Sequence, residues 1–89
     1  MANKKEKLHL ATITIFVQDR KSLSSAVNRI LTKNGHFIMA RLGVNVQRHC
    51  VSNCLAMITV AVEATKKDIN LITKELNGLS GITARGIIL

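Results

Sequence analysis

The chain has 89 residues, a formal net charge of +8 and 47% hydrophobic residues, with two Phe, two Cys and no Trp, Tyr or Pro. That length suits one domain, and two cysteines allow at most one internal disulfide, too few for the multiply stapled framework of small secreted proteins. No apolar run approaches the ~18 residues of a membrane span, so the sequence reads as a cytoplasmic domain with no membrane partner.

Residues 1–7 read as a flexible basic tail and residues 8–89 as a single domain. The tail takes three of 13 basic and one of 5 acidic residues, leaving 10 against 4, or +6, on the domain. The lysines and the apolar stretch after them imitate a signal peptide. However, Gln18-Asp19-Arg20-Lys21 follows at once, without a small-residue cleavage site.

Leu8 to Val17 is rich in β-formers and alternates Ala11, Ile13, Ile15 and Val17 against Leu10, Thr12, Thr14 and Phe16, which predicts a first strand. The period then changes. Leu23, Ala26, Val27, Ile30 and Leu31 fall on one helical face, with Asp19 placed to cap its start and Asn34-Gly35 to supply a left-handed stop. His36 to Val46 predicts a second strand, with Ile38, Ala40, Leu42, Val44 and Val46 on one side and Phe37, Met39, Arg41, Gly43 and Asn45 on the other. Gln47 to Asn53 is polar and holds the turn. Cys54 to Val62 is apolar on both faces except at Thr59, the mark of a central strand. Thr65-Lys66-Lys67-Asp68 resembles a capping box with Asp in the place of Glu. Ile69, Ile72, Leu76 and Leu79 continue as a second helical face, and Ile82 to Leu89 as a last strand.

Two β-α-β halves of similar length predict an α+β, ferredoxin-like βαββαβ fold: a four-stranded antiparallel sheet with two helices on one face. Right-handed crossovers place the first and third strands in its middle. The opposite face would then show Leu8, Leu10, Phe16, Met39, Leu55, Met57, Ala61, Ile87 and Leu89. A monomer rarely exposes so large an apolar patch. The expected cover is another copy of the chain, giving a homo-oligomer.

Three groups of residues carry possible chemistry. His49-Cys50-Val51-Ser52-Asn53-Cys54 offers imidazole and thiolate ligands suited to zinc, iron or nickel. In a straight strand Cys50 and Cys54 stand roughly 13 Å apart at about 3.3 Å per residue, so they share an ion only if the intervening residues turn. The alternative is that Cys54 is a small core residue beside loop residues His49 and Cys50, and the sequence requires no cofactor. Asp19-Arg20 and Arg41-Gly43 form the second and third groups. Arg41, read as lying mid-strand on the open face, needs an anionic partner. That partner is either a carboxylate across a subunit interface or a small carboxylate or phosphate effector. Gly43 on the same face permits close approach. Asp19 also reads as an ordinary helix cap.

Nucleic acid is the other partner class that charge suggests. The ferredoxin-like sheet is also an RNA-recognition scaffold, but that module stacks bases on paired aromatics of its central strands. Here the predicted third strand has none. Weak, non-specific association with polyanions is what the charge supports. No Ser-His-Asp set, Gly-rich phosphate loop or metal-hydrolase motif is present, and a non-catalytic role is expected.

The run Ile15-Phe16-Val17-Gln18-Asp19-Arg20, followed by Leu23, Val27 and Ile30-Leu31, resembles the opening of ACT domains, which are small-molecule-binding regulatory modules. Their usual Pro-Gly after Asp-Arg is replaced here by Lys21-Ser22. A similarity covering Leu10 to Leu89 is to the small proteins named as iron-only hydrogenase system regulators. It is carried by Thr14 to Arg20, by Ala40-Arg41-Leu42-Gly43-Val44 and by Leu76-Asn77-Gly78-Leu79-Ser80-Gly81-Ile82. The resemblance implies an ACT-like or nickel-regulator-like ferredoxin fold, an oligomer and a sensing role, with structural assembly of a metalloenzyme system as the alternative. Nickel-responsive regulators keep a Cys near the start of the third strand and His residues in the strand before it. Leu42, Val44 and Val46 stand in the latter positions here.

Overall fold

A computed structural model describes residues 6–45 and 54–89. The elements run β1 (His9–Val17), α1 (Arg20–Lys33), a single 3-10 turn (Gly35–Phe37), β2 (Ile38–Asn45), β3 (Ala56–Ala64), α2 (Lys66–Asn77) and β4 (Ile82–Ile88). The sheet order is β2-β3-β1-β4, and every neighbouring pair is antiparallel. This is the expected ferredoxin-like βαββαβ arrangement, with β1 and β3 in the middle.

The core follows from the two periodicities. Ala11, Ile13, Ile15 and Val17 of β1 point to one side with Val60, Val62 and Ala64 of β3 and with Ile82 and Ala84 of β4. Val27, Ile30 and Leu31 of α1 and Ile69, Ile72 and Leu76 of α2 close over them. Ile13, Ile15, Leu31, Ile69 and Leu76 are all under 2% exposed. Burial of such side chains contributes about 1.5–3 kcal/mol each.

Local chemistry fixes the helix ends. Thr65 caps α2 by accepting a hydrogen bond from the Asp68 amide at 3.1 Å, as the Thr-x-x-Asp pattern predicts. Asp19 precedes α1, but its carboxylate accepts from the Ser22 hydroxyl at 2.8 Å and bonds no backbone amide. The end of α1 departs from expectation. Asn34 has φ −101°, not a left-handed value, and its side-chain amide donates to the Ile30 carbonyl at 2.9 Å. The Ile30 carbonyl thus accepts from both the backbone amide of Asn34, at 3.2 Å, and its side chain. The positive φ falls instead at Gly81, +84°, where a Cβ would meet Leu23 Cδ1 at 2.8 Å.

Asn77, the last residue of α2, ties the helix to the outer edge of β4. Its side-chain amide donates to the Ala84 carbonyl at 2.9 Å and its carbonyl accepts from the Ala84 amide at 2.8 Å. One side chain therefore plays the part of a neighbouring strand for one residue and blunts an exposed edge.

The second strand corrects the expected facing. Ile38 pairs with Val62 and Ala40 with Ala61, so Met39 is an extra residue between them. One bulged residue inverts the inside-outside parity of all that follows. Ala40, Leu42 and Val44 lie on the open face opposite Ala61, Thr59 and Met57. Arg41 and Gly43 lie on the helix side, opposite Val60 and Ile58. Both sets are thus inverted relative to the facing that unbroken alternation from Ile38 predicts.

Candidate functional site

The open sheet face is built row by row from the register. Val44, Met57, Phe16 and Thr83 form one row across the four strands. Leu42, Thr59, Thr14 and Arg85 form the next, and Ala40, Ala61, Thr12 and Ile87 the third. Glu63 and Leu10 face each other beyond it. The Thr14 and Thr59 hydroxyls lie 3.3 Å apart and share a hydrogen bond. Around this polar centre Leu10, Phe16, Leu42 and Ile87 are exposed, with Leu42 at 63% and Ile87 at 72%. The apolar open face expected from the sequence is present. Leu42 belongs to it, whereas Met39 sits in the bulge.

Arg41 does not lie on that face. Its guanidinium donates to the Asn28 side-chain carbonyl of α1, and the residue is exposed. Because β2 is an edge strand, its helix side at Arg41 overhangs the packed core, and the charge stays in water. Gly43 has open space around it, so no close approach of backbone explains it in this chain. The guanidinium that stands on the open face is Arg85, opposite Thr14. The missed signal was Arg85 itself, the one basic residue of the last strand, on the parity opposite buried Ala84.

Asp19 and Arg20 gather at one end of the sheet. The Arg20 amide donates to the Cys54 carbonyl at 3.0 Å, and the Gln18 amide donates to the Gly81 carbonyl at 3.0 Å. Asn28, the partner of Arg41, lies eight residues further along α1, about 12 Å at 1.5 Å per residue. The four expected effector residues therefore divide between two places. Of the expected metal ligands, His49 and Cys50 lie outside the described residues. Cys54 is 5% exposed and disulfide-bonded. A disulfide sulfur is not a thiolate, so ligation by Cys54 requires the reduced form. No group of three or more His, Cys, Asp or Glu with metal-holding geometry occurs among the described residues.

A third place collects positive charge. Lys7 and His9 at the start of β1 and Lys66 and Lys67 at the start of α2 line an open groove of about 240 Å³ with Glu6 and Thr65. Among the described residues the sole ion pair is Lys33–Glu75, on the surface between the helices. No described helix is long and apolar enough to cross a membrane.

Strand order, helix placement and an open, partly polar sheet face define a small ferredoxin-like α+β module. The sequence profile of the TM1266-like family, described as "Iron-only hydrogenase system regulator, putative", matches residues 9–86, and the chain belongs to that family. The solved structure of the uncharacterized protein TM1266 from Thermotoga maritima is similar, with a TM-score of 0.82 at 23% identity over 93% of this chain and 99% of that one. CPII from Thiomonas intermedia K12, a nitrogen regulatory PII-like protein bound to ADP, AMP and bicarbonate, gives a TM-score of 0.53 at 12% identity, covering 93% and 98%. CPII bound to ADP, AMP and acetate gives 0.54 at 13%, covering 93% and 91%. At these identities the structures share a fold with this chain and no more. No match was found among curated proteins.

Proposed function

We propose that the protein is a non-catalytic regulatory module that acts as a homo-oligomer, with a second copy packed over the open sheet face and a small effector held where subunits meet. Membership of a family named for iron-only hydrogenase regulation supports the regulatory class. The observation that carries the assembly is the apolar open face itself. Leu10 and Phe16 of β1, Leu42 of β2 and Ile87 of β4 are exposed there. Four strands at ~4.8 Å and about eight residues at ~3.3 Å give a flat footprint of roughly 500 Å². Side-chain relief adds to that, and a stable interface takes roughly 800 Å² of accessible surface per partner. A second copy supplies a face of matching size and polarity by symmetry, which a heterologous partner does not.

Light scattering at low micromolar concentration tests this reading, with a mass that is a multiple of 9.8 kDa expected. Leu42→Asp should dissociate the assembly, because it buries an unpaired carboxylate in a dry interface. A soluble, folded parent protein of 9.8 kDa would remove the proposal.

A further inference from the structure

We propose that Arg85, with the hydroxyls of Thr14, Thr59 and Thr83, forms an oxyanion-binding site at the centre of the open sheet face that takes a carboxylate or phosphate group. The proposal deepens the regulatory reading by naming the effector's chemistry, and it rests on that reading only for its purpose.

The register places the groups. Arg85 pairs with Thr14 across β1 and β4, and Thr14 pairs with Thr59 across β1 and β3. Thr83 lies two residues from Arg85 on the same strand and face, opposite Phe16. Directly opposed side chains in such a sheet stand about 5 Å apart at Cβ. The guanidinium fork thus shares a small area with three hydroxyls; with one proton held in the Thr14–Thr59 bond, the other of that pair and Thr83 can each turn a proton toward an anion.

No protein acid competes for the fork. Among the described residues Arg85 makes no ion pair, and its guanidinium has a long contact of 3.5 Å to the Ala84 carbonyl. Glu63 is the one acid in any strand of the sheet. It faces Leu10, four residues along and two strands across from Arg85, about 16 Å away at ~3.3 Å and ~4.8 Å per step.

Side-chain size shapes the place as well. Thr12, Thr14, Thr59 and Ala61 occupy the middle of the two central strands, with Phe16 and Met57 toward one end and Leu10 toward the other. Longer side chains therefore flank a patch of short, hydroxyl-bearing ones. A second copy over this face lowers the local dielectric, which strengthens a bidentate arginine–oxyanion pair. A carboxylate and a phosphate both match the fork, so the shared chemistry is two oxygens on one anionic centre.

The test is an NMR titration of the full chain with acetate, bicarbonate and inorganic phosphate, each against chloride at equal ionic strength. Light scattering is recorded on the same samples. At least one oxyanion should give saturable shifts centred on the Thr14, Thr59 and Arg85 amides. Arg85→Gln should weaken binding at least tenfold, Thr14→Val less so, and the double change Lys66→Gln and Lys67→Gln should leave it unchanged. Arg85 is exposed, and Arg85→Gln keeps the fold. Shifts that do not saturate, that centre on Lys66 and Lys67, or that survive Arg85→Gln would overturn the site. An oligomer that binds none of the three anions removes this site and leaves the assembly standing, whereas a monomer that binds one does the reverse.

Discussion

Asn77→Asp and Asn77→Ala together test the clamp between α2 and the edge of β4. Asparagine there donates to the Ala84 carbonyl and accepts from the Ala84 amide, at 2.9 and 2.8 Å. Each such bond contributes about 0.5–1.5 kcal/mol net. Asn77 lies at the surface, and water replaces part of what is lost, so Asn77→Ala should destabilise by about 1–2 kcal/mol. Aspartate keeps the acceptor and loses the donor. It also sets a carboxylate oxygen against the Ala84 carbonyl, so its loss should match that of alanine although the side chains are nearly the same size. Urea unfolding gives both values from the midpoint at constant slope. Amide exchange then separates the two variants: the Ala84 N–H should exchange faster in Asn77→Ala and remain protected in Asn77→Asp. Two variants within about 0.3 kcal/mol of the parent would refute the clamp.

Gly81→Ala should destabilise by about 1–3 kcal/mol in the same assay, from the left-handed φ and from a Cβ at 2.8 Å from Leu23 Cδ1, a side-chain end that can partly yield. Arg41→Ala should cost at most about 1 kcal/mol and leave the scattering mass unchanged, because Arg41 bonds Asn28 on the exposed helix side; dissociation on Arg41→Ala would return it to the interface. Binding to a mixed DNA or RNA duplex should fall away between about 50 and 300 mM salt without sequence preference, as expected of a charge effect. Sequence-selective affinity that persists at physiological salt would contradict that.

Periodicity carried most of the fold. The alternation through Ile13 and Ile15 and the helical spacing of Ile69, Ile72 and Leu76 have one reading each, and all five residues are buried. The facing of β2 was not legible in the same way, because Ile38, Ala40, Leu42 and Val44 alternate with residues that include Phe37 and Met39. Both parities therefore look apolar at the start of the strand. Nothing in the types Ile38-Met39-Ala40 announces an extra residue, and the bulge inverted Arg41 and Leu42 together. The candidate site moved with them. Arg41 lies on the helix side of the sheet, and the arginine paired with Thr14 on the open face is Arg85. Capping was legible where it is local, as at Thr65 and Asp68. It was not at Asn34, where the helix ends without the left-handed φ that Asn34-Gly35 suggests. The state of Cys54 was not legible either, since spacing alone does not decide between thiol and disulfide.

Native mass spectrometry of protein purified without added metal or effector tests the central claim most directly, because subunit number and any retained small molecule appear in one spectrum. The account predicts a dominant species at a multiple of 9.8 kDa that shifts to the single-chain mass in Leu42→Asp. A dominant species at 9.8 kDa for the parent protein at low micromolar concentration would contradict it.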